Sequence, residues 1–239
     1  MRQVPHYLII GSGRLATHLQ HYFFHLQLGY DTWCRQRSKA ALAPKLEKAT
    51  HVLLAISDDA IETWIQEALS GTTAMRIHFS GRLVSEHAYG AHPLMTFTRE
   101  LYVLRQYQAI PFVIDGDAPP FEQLFPGLLN PSVRLQRAQK EKYHALCVMS
   151  GNFSCMLWQK LLTTFEREFG FDASIAHPYL QQQTQNIMRH YQQALTGPLV
   201  RQDRETLERD RNALAGDPFQ AIFDSFVSCY QTLKKAGEA

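Results

Sequence analysis

The chain contains a GxGxxA pattern, made of Gly11, Ser12, Gly13, Arg14, Leu15 and Ala16. An apolar, strand-like run over residues 7–10 precedes it. A pyrophosphate requires convergent backbone N–H groups at a helix N-terminus and no side chain in its path. Gly11 permits the tight turn, Gly13 lets the backbone approach phosphate, and Ala16 lets the next helix pack on the strand. The pattern predicts a dinucleotide-binding turn.

The segments around this turn support the prediction. A helical pattern over residues 15–28 follows the glycines and ends at Gly29, which we expect to be its C-cap. A second strand is predicted over residues 32–35. Strand, glycine turn, helix and strand is the order of a βαβ unit. The alternative is an ordinary glycine-rich turn without a ligand.

The end of the second predicted strand distinguishes between the two nicotinamide dinucleotides. An NAD site places Asp or Glu about 20 residues after the glycines to bind the ribose 2′-hydroxyl, whereas an NADP site offers Arg to the 2′-phosphate. Arg35 and Arg37 occupy this place, while Asp31 lies at the start of the strand and is interpreted as a turn residue. We therefore expect NADP. The alternative for the two arginines is a solvated basic face.

Strands and helices continue to alternate along the chain. Further strands are predicted over residues 51–56, 75–79, 110–114 and 133–135, and helices over residues 60–69 and 121–129. This alternation is typical of an α/β fold with a doubly wound parallel sheet, which binds ligands at the carboxyl ends of its strands. From about residue 139 the pattern is helical, over residues 140–169, 178–195, 203–214 and 218–233. We expect a Rossmann-type domain over residues 1–137 and an all-helical domain over residues 138–239.

The composition excludes several function classes. The net charge of +2 comes without a long single-sign block, which gives no support for nucleic acid or an anionic membrane as a partner. Apolar runs are too short to cross a bilayer and the N-terminus lacks a secretory pattern, so we expect a cytoplasmic protein. The 4 cysteines and 11 histidines show neither CxxC nor HExxH spacing, and we expect no metal.

Polar side chains follow several predicted strands, where a doubly wound sheet binds its ligand. Ser57 and Asp58 follow the third strand and are expected to contact the cofactor. Ser80 follows the fourth strand, where it could contact nicotinamide or substrate; a simple turn is the alternative. His92 precedes Pro93, which restricts the backbone and suits a fixed side chain in a cleft. A histidine that caps a loop would explain the same residues.

The long predicted helix supplies the other candidate residues. Residues 145–157 are apolar nearly all round and are expected in the interior, where the Asn152 amide would need a partner. Lys140, His144 and Asn152 are spaced by four or eight residues and fan across one side of the helix. Carbonyl reduction needs a proton donor, for which Lys140 or His144 is suited, and a group such as Asn152 that orients the substrate. A solvated Lys140 and a purely structural Asn152 are the alternatives.

An ordered set of short motifs covers almost the whole chain, at residues 11–16, 56–59, 78–81, 92–97, 143–145, 152–153 and 194–198. The set resembles the Rossmann-like proteins that carry the DUF2520 domain, which are similar to pyrroline-5-carboxylate reductases, 6-phosphogluconate dehydrogenases and ketopantoate reductases. The resemblance implies an NADP-dependent oxidoreductase whose helical C-terminal domain binds substrate and forms a homodimer. The Lys and Asn pair of the hydroxyacid dehydrogenases is missing, since Val148 lies four residues after His144. Catalytic roles are therefore not transferred from those enzymes.

The main hypothesis is that NADPH reduces the carbonyl of a small 2-oxo acid, with 2-ketopantoate as one candidate. The substrate would be contacted by Ser80, His92, His144 and Asn152. The first alternative is an imine reductase, which needs less electrophilic help because an iminium already carries charge. The second alternative is a non-catalytic sensor that binds dinucleotide, which the missing Lys and Asn pair favours.

Overall fold

The computed structural model describes residues 4–237 of the chain, which divides into two compact units. The first unit ends at Leu157 and the second begins at Trp158. The first contains a sheet with helices, and the second is helical in the residues described. The predicted order, a doubly wound sheet followed by helices, is confirmed.

Seven strands form one sheet in the order β2-β1-β3-β4-β5-β6-β7. Their bounds are His6–Ile10 (β1), Gly29–Trp33 (β2), His51–Leu54 (β3), Met75–His78 (β4), Tyr89–Pro93 (β5), Phe112–Asp115 (β6) and Ser132–Leu135 (β7). Strands β1 to β5 are parallel, β6 is antiparallel to β5, and β7 is parallel to β6. Because β1 has β2 on one side and β3 on the other, a topological switch point lies at its carboxyl end.

Helices cover both faces of this sheet. The helices of the first unit are α1 (Arg14–His25), α2 (Ala43–Lys48), α3 (Asp58–Ala68), α4 (Leu104–Ala109), α5 (Phe121–Leu124) and α6 (Lys140–Val148). Successive strand residues point to opposite faces. In β1, Tyr7 and Ile9 join one hydrophobic cluster, and Leu8 and Ile10 join the other. The strand is therefore buried on both sides, as expected of a central parallel strand.

Strand β5 is the main element that the sequence pattern does not reveal. It contains Gly90 and Pro93, residue types that are depleted in strands. It forms because β4 and β6 pair with it on either side, with His78 opposite Gly90 and Phe112 opposite Pro93. His92 consequently lies in a strand rather than a loop. The sheet is mostly parallel, as expected, and departs from this at one pair, where β6 runs opposite to β5.

The connection from α1 to β2 also differs from the prediction. Helix α1 ends at His25, Gln27 takes the left-handed conformation (φ 54°), and Gly29 begins β2. The assignment of Gly29 as the C-cap is therefore wrong. Asp31 is likewise not a turn residue, because it lies inside β2 and pairs with His6 Nε2 at 2.9 Å.

The predicted long helix over residues 140–169 is present, with two π-helical turns in it, Met149–Phe153 and Phe165–Phe169. The helices from residue 154 onward are α7 (Ser154–Thr164), α8 (His177–His190), α9 (Pro198–Arg201), α10 (Arg204–Ala213) and α11 (Phe219–Ala236). In the second unit, Lys160 of α7 pairs with Asp217, whose carboxylate also accepts the N–H of Phe219 at the start of α11. None of the helices within residues 4–237 has the length and apolar character needed to cross a membrane.

Candidate functional site

A cleft of about 720 Å³ opens at the carboxyl ends of β1, β2 and β3. The predicted cofactor residues that line it are Gly11, Ser12, Gly13, Arg35, Arg37 and Ser57. Trp33 and Trp64 form an apolar part of its wall, with ring centroids 6.0 Å apart. The cleft thus combines a glycine turn, an aromatic wall and a basic rim at the switch point of the sheet.

The glycine turn is shaped by two different requirements. Gly11 has φ of +132°, and a Cβ there would overlap the carbonyl oxygen of Ala55 at the end of β3. Gly13 precedes α1, and a Cβ there would meet nothing within 4 Å. No side chain caps the N-terminus of α1, so its first N–H groups have no side-chain acceptor. These features fit the pyrophosphate of a dinucleotide, because they leave room for an anion beside unpaired donors.

The basic rim follows β2. Arg35, Arg37 and Lys39 are exposed, and Arg37 Nη1 donates to the carbonyl oxygen of Thr32 at 3.3 Å. Asp31 does not line the cleft, and its carboxylate also accepts from Lys45 Nζ at 3.3 Å. Glu67 of α3 is the acidic residue of the cleft wall. The end of β2 therefore offers cations to an anionic group rather than a carboxylate to a ribose hydroxyl.

Four predicted cofactor residues lie outside the cleft lining: Arg14, Leu15, Ala16 and Asp58. Arg14 is exposed and donates to the carbonyl oxygen of Phe97 at 3.4 Å. Ala16 is fully buried in the core cluster and Leu15 packs against that cluster. Asp58 is turned toward Ser80. Ala16 therefore has the helix-packing role that the motif predicts, and it does not line the cleft.

Ser80 holds the turn after β4. Its hydroxyl donates to Asp58 Oδ2 at 2.6 Å and accepts the N–H groups of Arg82 and Leu83 at 3.2 and 3.0 Å. A hydroxyl has one proton and two lone pairs, so these contacts use its full hydrogen-bonding capacity. The alternative of a simple turn explains these contacts, and the Ser80 hydroxyl is fully used within the chain.

Lys140 is buried rather than solvated, with 4% of its surface exposed. Its Nζ lies 2.5 Å from Asp115 Oδ1, and Asp115 Oδ2 accepts the N–H of Gly90 at 2.7 Å. A Cβ on Gly90 would overlap Lys140 Nζ and would lie 2.7 Å from Asp115 Oδ1. Glycine at position 90 therefore leaves the space in which the ion pair forms. The Lys140 ammonium is therefore neither solvated nor a free proton donor.

Helix α6 contacts β5 at two points. Lys140 Nζ lies over Gly90, and Tyr143, three residues later on α6, contacts His92, two residues later on β5. These steps are about 4.5 Å along the helix and about 6.6 Å along the strand. His144 lies over Gly81, where a Cβ would be 2.9 Å from its Cδ2. The helix thus brings Tyr143 and His144 to the carboxyl end of β5.

His92 forms the centre of this second group. Its Nδ1 is 2.8 Å from Tyr143 Oη, and its ring centroid is 6.4 Å from that of His144. A Cβ on Gly81 would lie 3.3 Å from its Cδ2. The pKa of His92 is lowered to about 4, first by burial and then by His144 and Lys140, while Asp58 acts in the opposite direction. His92 is therefore a neutral imidazole at pH 7.

His78 is a second neutral imidazole, at the end of β4. It is fully buried, and its Nδ1 accepts the N–H of Ser80 at 3.3 Å. Its pKa is lowered to about 4, first by burial and then by Lys140, while Asp115 acts in the opposite direction. Its Nε2 has no hydrogen-bond partner among residues 4–237. Protonation of His78 would therefore place an unpaired charge in the interior.

Asn152 does not lie where the sequence pattern predicts. It is exposed, and the π-helical turn Met149–Phe153 contains it. Around it, Leu146, Met149, Phe153 and Met156 are each about half exposed, so the interior placement of residues 145–157 is wrong. In the described part of the chain no hydrogen bond joins Asn152 to Lys140 or His144. The structure brings Lys140 and His144 to the sheet and leaves Asn152 on the surface.

Asp115, Gly90 and Tyr143 are the residues of this group that sequence reasoning missed. Asp115 resembles the first residue of a turn, because Gly116 and Asp117 follow it. The available signal is its position directly after the buried run Phe112 to Ile114, where a carboxylate is unusual without a partner. Tyr143 lies three residues after Lys140 and is therefore on nearly the same helix face.

Solved structures resemble the chain over nearly its whole length. A Bacteroides fragilis protein provisionally assigned as an NADP oxidoreductase has a TM-score of 0.75 at 18% identity, covering 95% of this chain and 97% of that one. A Thermotoga maritima protein has a TM-score of 0.69 at 21% identity, with coverages of 98% and 100%. A reductive aminase from Aspergillus terreus, solved with NADPH and ethyl levulinate, has 0.59 at 16% identity, with coverages of 99% and 95%. Because these sequence identities are low, the likeness establishes the fold alone.

Family membership follows from the chain's second half. No curated protein matches the sequence. The family model described as a domain of unknown function, DUF2520, matches residues 110–235. That segment begins just before β6, includes Asp115, Lys140 and Tyr143, and ends within α11. It is more than half of the 239 residues, and the chain therefore belongs to the DUF2520 family.

Proposed function

We propose that this chain is an NADP-dependent oxidoreductase. The observation that carries the proposal is the cleft of about 720 Å³ at the switch point, which has the Gly11 to Gly13 turn at one side and Arg35 and Arg37 at its rim. The names of two structural neighbours support it, because one is provisionally an NADP oxidoreductase and the other was solved with NADPH. In this proposal NADP is the cofactor and the substrate is a small molecule.

The proposed binding mode assigns each part of the cofactor to a part of the cleft. The pyrophosphate lies against the backbone of Ser12 and Gly13 at the N-terminus of α1. Arg35 and Arg37 bind the 2′-phosphate, for which a guanidinium is well matched. Trp33 and Trp64 supply an apolar wall beside the adenine. Bound NADPH would supply a hydride to an electrophilic carbon.

The strand order supports a position of the cofactor's reacting end near His92. The carboxyl ends of β2, β1, β3, β4 and β5 follow one another along one edge. From β2 to β5 this edge spans four strand spacings, about 19 Å in all. The 2′-phosphate at β2 therefore directs the nicotinamide toward β4 and β5, where His92 and His144 lie over Gly81. We assign these two imidazoles to the substrate side of the site.

The proposed reaction is reduction of the keto group of a small 2-oxo acid to a hydroxyl, with 2-ketopantoate as one candidate. The acid gains a hydride at carbon and a proton at oxygen, and NADPH becomes NADP⁺. Developing negative charge on the oxygen is best stabilised by fixed donors in a partly dry site. His92 and His144 offer N–H groups there, whereas the ammonium of Lys140 is held by Asp115. Lys140 then acts by fixing α6 rather than by giving up its proton.

Imine reduction is the second candidate. It is favoured by the likeness to the reductive aminase and by the absence of a free ammonium among the described groups around His92. An iminium already carries positive charge, so it needs less help from a donor. The two candidates differ in substrate class and share the cofactor.

We also propose that two copies of the chain associate through the helical region. Leu146, Met149, Phe153 and Met156 are each about half exposed on the 140–169 helical segment. On α8, Met188 is 73% exposed. Exposed apolar surface of this extent marks an interaction site rather than an ordinary surface. A second copy of the chain carries the same apolar surface and is its proposed partner.

Steady-state NADPH oxidation tests the proposed function. Purified protein is supplied with 2-ketopantoate, other 2-oxo acids or 1-pyrroline-5-carboxylate, and NADPH binding is measured separately by titration. We expect binding, with turnover of a 2-oxo acid. Gly13→Val fills the space beside α1 and should abolish binding, whereas Gly71→Val, also with open space around it, should not. Tight binding without any turnover would support a dinucleotide sensor, and absence of binding would contradict the proposal.

A further inference from the structure

Tyr143 Oη and His92 Nδ1 share a hydrogen bond of 2.8 Å, whose direction depends on the tautomer of the imidazole. Burial raises the pKa of the Tyr143 hydroxyl above its ordinary value, and a hydrogen bond with Cys147 raises it further. The phenol therefore keeps its proton at neutral pH. Nδ1 of a neutral imidazole accepts a hydrogen bond when its proton is on Nε2. In that tautomer, Tyr143 Oη donates to His92 Nδ1.

In the same tautomer, the second ring nitrogen of His92 is a donor. In residues 4–237 the hydrogen bond of this ring is made through Nδ1. The Cδ2 edge, next to Nε2, lies over Gly81, and the residue is only partly buried. His78 is different: its Nε2 also lacks a partner, but the whole residue is buried. Of these two imidazoles, His92 is the one that a small molecule can reach.

We propose that His92 is a catalytic hydrogen-bond donor, which binds the keto oxygen of a 2-oxo acid through Nε2–H, and that Tyr143 is the positioning residue that fixes this tautomer. The inference rests on the proposed function, because it concerns the substrate side of the same site. It assigns a role to Tyr143, to which the sequence analysis gives none.

The proposed role involves no proton transfer from His92. With NADPH bound as the hydride donor, its C–H bond would break as a new C–H bond forms at the carbonyl carbon, and the π electrons of the carbonyl would move to oxygen. The oxygen would then take a proton from water, which leaves hydroxide. His92 keeps its proton throughout, since its loss would leave an imidazolate. The Nε2–H bond strengthens as negative charge grows on the oxygen, so it stabilises the transition state more than the ground state.

The proposed role of His92 predicts how kcat depends on pH. The groups that face His92 are Tyr143, Lys140 and His144 of α6 and Asp58 of α3. With a neutral donor, kcat should not decline as pH rises through the ordinary pKa of histidine, about 6.5. An imidazolium acting as general acid would instead give a rate that falls through this range.

The test uses the full-length protein with two independent readouts. Nitrogen-15 NMR of ring-labelled histidine reports the tautomer of His92 without any turnover, and we expect the neutral Nε2–H form at pH 7. Oxamate, an unreactive analogue of a 2-oxo acid, should shift the Nε2 signal when added with NADP⁺. Tyr143→Phe should reduce the population of this tautomer or its response to oxamate, and should lower kcat about 10-fold with little change in KM.

Variants of His92 separate donor loss from structural damage. His92→Phe should lower kcat about 100-fold or more, the usual effect of losing one such donor, without changing NADPH affinity. His92→Gln, whose amide N–H replaces Nε2–H, should recover part of this loss. His87→Gln, at an exposed histidine, is the control and should behave as the wild type.

The outcomes distinguish this inference from the proposed function. If the wild type binds NADPH but His92→Phe keeps its rate within about 3-fold, only the inference fails. A charged His92, an Nδ1–H tautomer, or no response to oxamate in the presence of NADP⁺ would also overturn it. If NADPH does not bind at all, the proposed function fails by a separate measurement.

Discussion

Lys140 and Asp115 form a buried ion pair that joins the first residue of α6 to the last residue of β6. Nζ and Oδ1 are 2.5 Å apart, and the two residues are 4% and 2% exposed. Charged groups so deeply buried are stable only when they are paired and hydrogen-bonded. Asp115 meets this condition because it also accepts the Gly90 N–H. The pair therefore fixes the position of α6 on the sheet, and with it Tyr143 and His144.

Removal of one partner should destabilise the fold strongly. Lys140→Met leaves the Asp115 carboxylate buried without its cation, and we expect the free energy of unfolding to fall by about 3–5 kcal/mol. Lys140→Met combined with Asp115→Asn should recover most of this loss, because the amide oxygen can still accept the Gly90 N–H. Urea denaturation measures both effects.

An exposed ion pair provides the matched control for this experiment. Arg209 and Glu205 of α10 pair on the surface, with side chains 78% and 76% exposed. Arg209→Met should change the free energy of unfolding by less than about 0.5 kcal/mol. Equal effects of Lys140→Met and Arg209→Met would mean that the buried pair does not hold α6 in place.

Gly90→Ala should disturb the same pair from the other side. The new Cβ would occupy the space of Lys140 Nζ, so the ammonium and α6 must move. We expect a loss of about 1–3 kcal/mol in stability, typical of overpacking, and weaker oxamate binding because His144 and Tyr143 shift. Gly71→Ala, where a Cβ meets nothing within 4 Å, should have neither effect. Unchanged oxamate affinity in Gly90→Ala would mean that the ion pair does not influence ligand binding at the site.

The part of this architecture that follows from sequence is the part specified locally. The turn from β1 to α1 needs Gly11 because its φ is +132°, and such a requirement is visible in the residue type itself. Strand β5 is not visible, because Gly90 and Pro93 argue against a strand and only the pairing with β4 and β6 creates it. In β5, pairing with the neighbouring strands therefore outweighs the low strand propensity of these two residues.

Burial of charge could not be predicted from sequence either. Lys140 is near the start of a helix, where a lysine is usually solvated, and Asp115 precedes a turn-like Gly116. Their pairing depends on the space left by Gly90 on a different strand. For residues 145–157 burial was predicted and exposure is found. An apolar composition indicates that a surface is covered, but it does not say whether the covering surface belongs to the same chain.

Stability should depend on pH through His78 and His92. The pKa of each is lowered to about 4 in the folded chain, below the ordinary value of 6.5. Between these values the unfolded chain binds protons more readily, so stability should fall as pH decreases from about 6.5 to about 4 and should be insensitive to these groups above about 7. For the fully buried His78 the loss is on the order of 3 kcal/mol.

Histidine variants identify the source of that dependence. His78→Asn removes the titrating ring while retaining an acceptor for the Ser80 N–H, and it should flatten the fall in stability below pH of about 6.5. His87→Asn, at an exposed site, should leave the curve unchanged. The measurement is the urea midpoint of the wild type and of each variant across this pH range. A curve for His78→Asn as steep as that of the wild type would show that other groups control the acid response.

The proposed association of two copies predicts a monomer when the apolar surface is disrupted. Leu146→Glu and Met149→Asp place charges on a surface where both native side chains are about half exposed. Analytical ultracentrifugation should find a dimer for the wild type and a monomer for the double variant, with helix content retained. Arg209→Glu, on exposed α10, should remain dimeric. A wild-type monomer at all concentrations would contradict the association.

The affinity for NADPH compared with that for NADH shows whether the cleft at the switch point binds NADP. Isothermal titration of the wild type should show preference for NADPH, because Arg35 and Arg37 meet the 2′-phosphate. Replacing both by alanine should weaken NADPH binding about 100-fold and NADH binding less than about 3-fold, while Arg99→Ala, an exposed arginine outside the cleft lining, should change neither. Equal losses for the two cofactors, or no heat of binding with either one, would contradict the account.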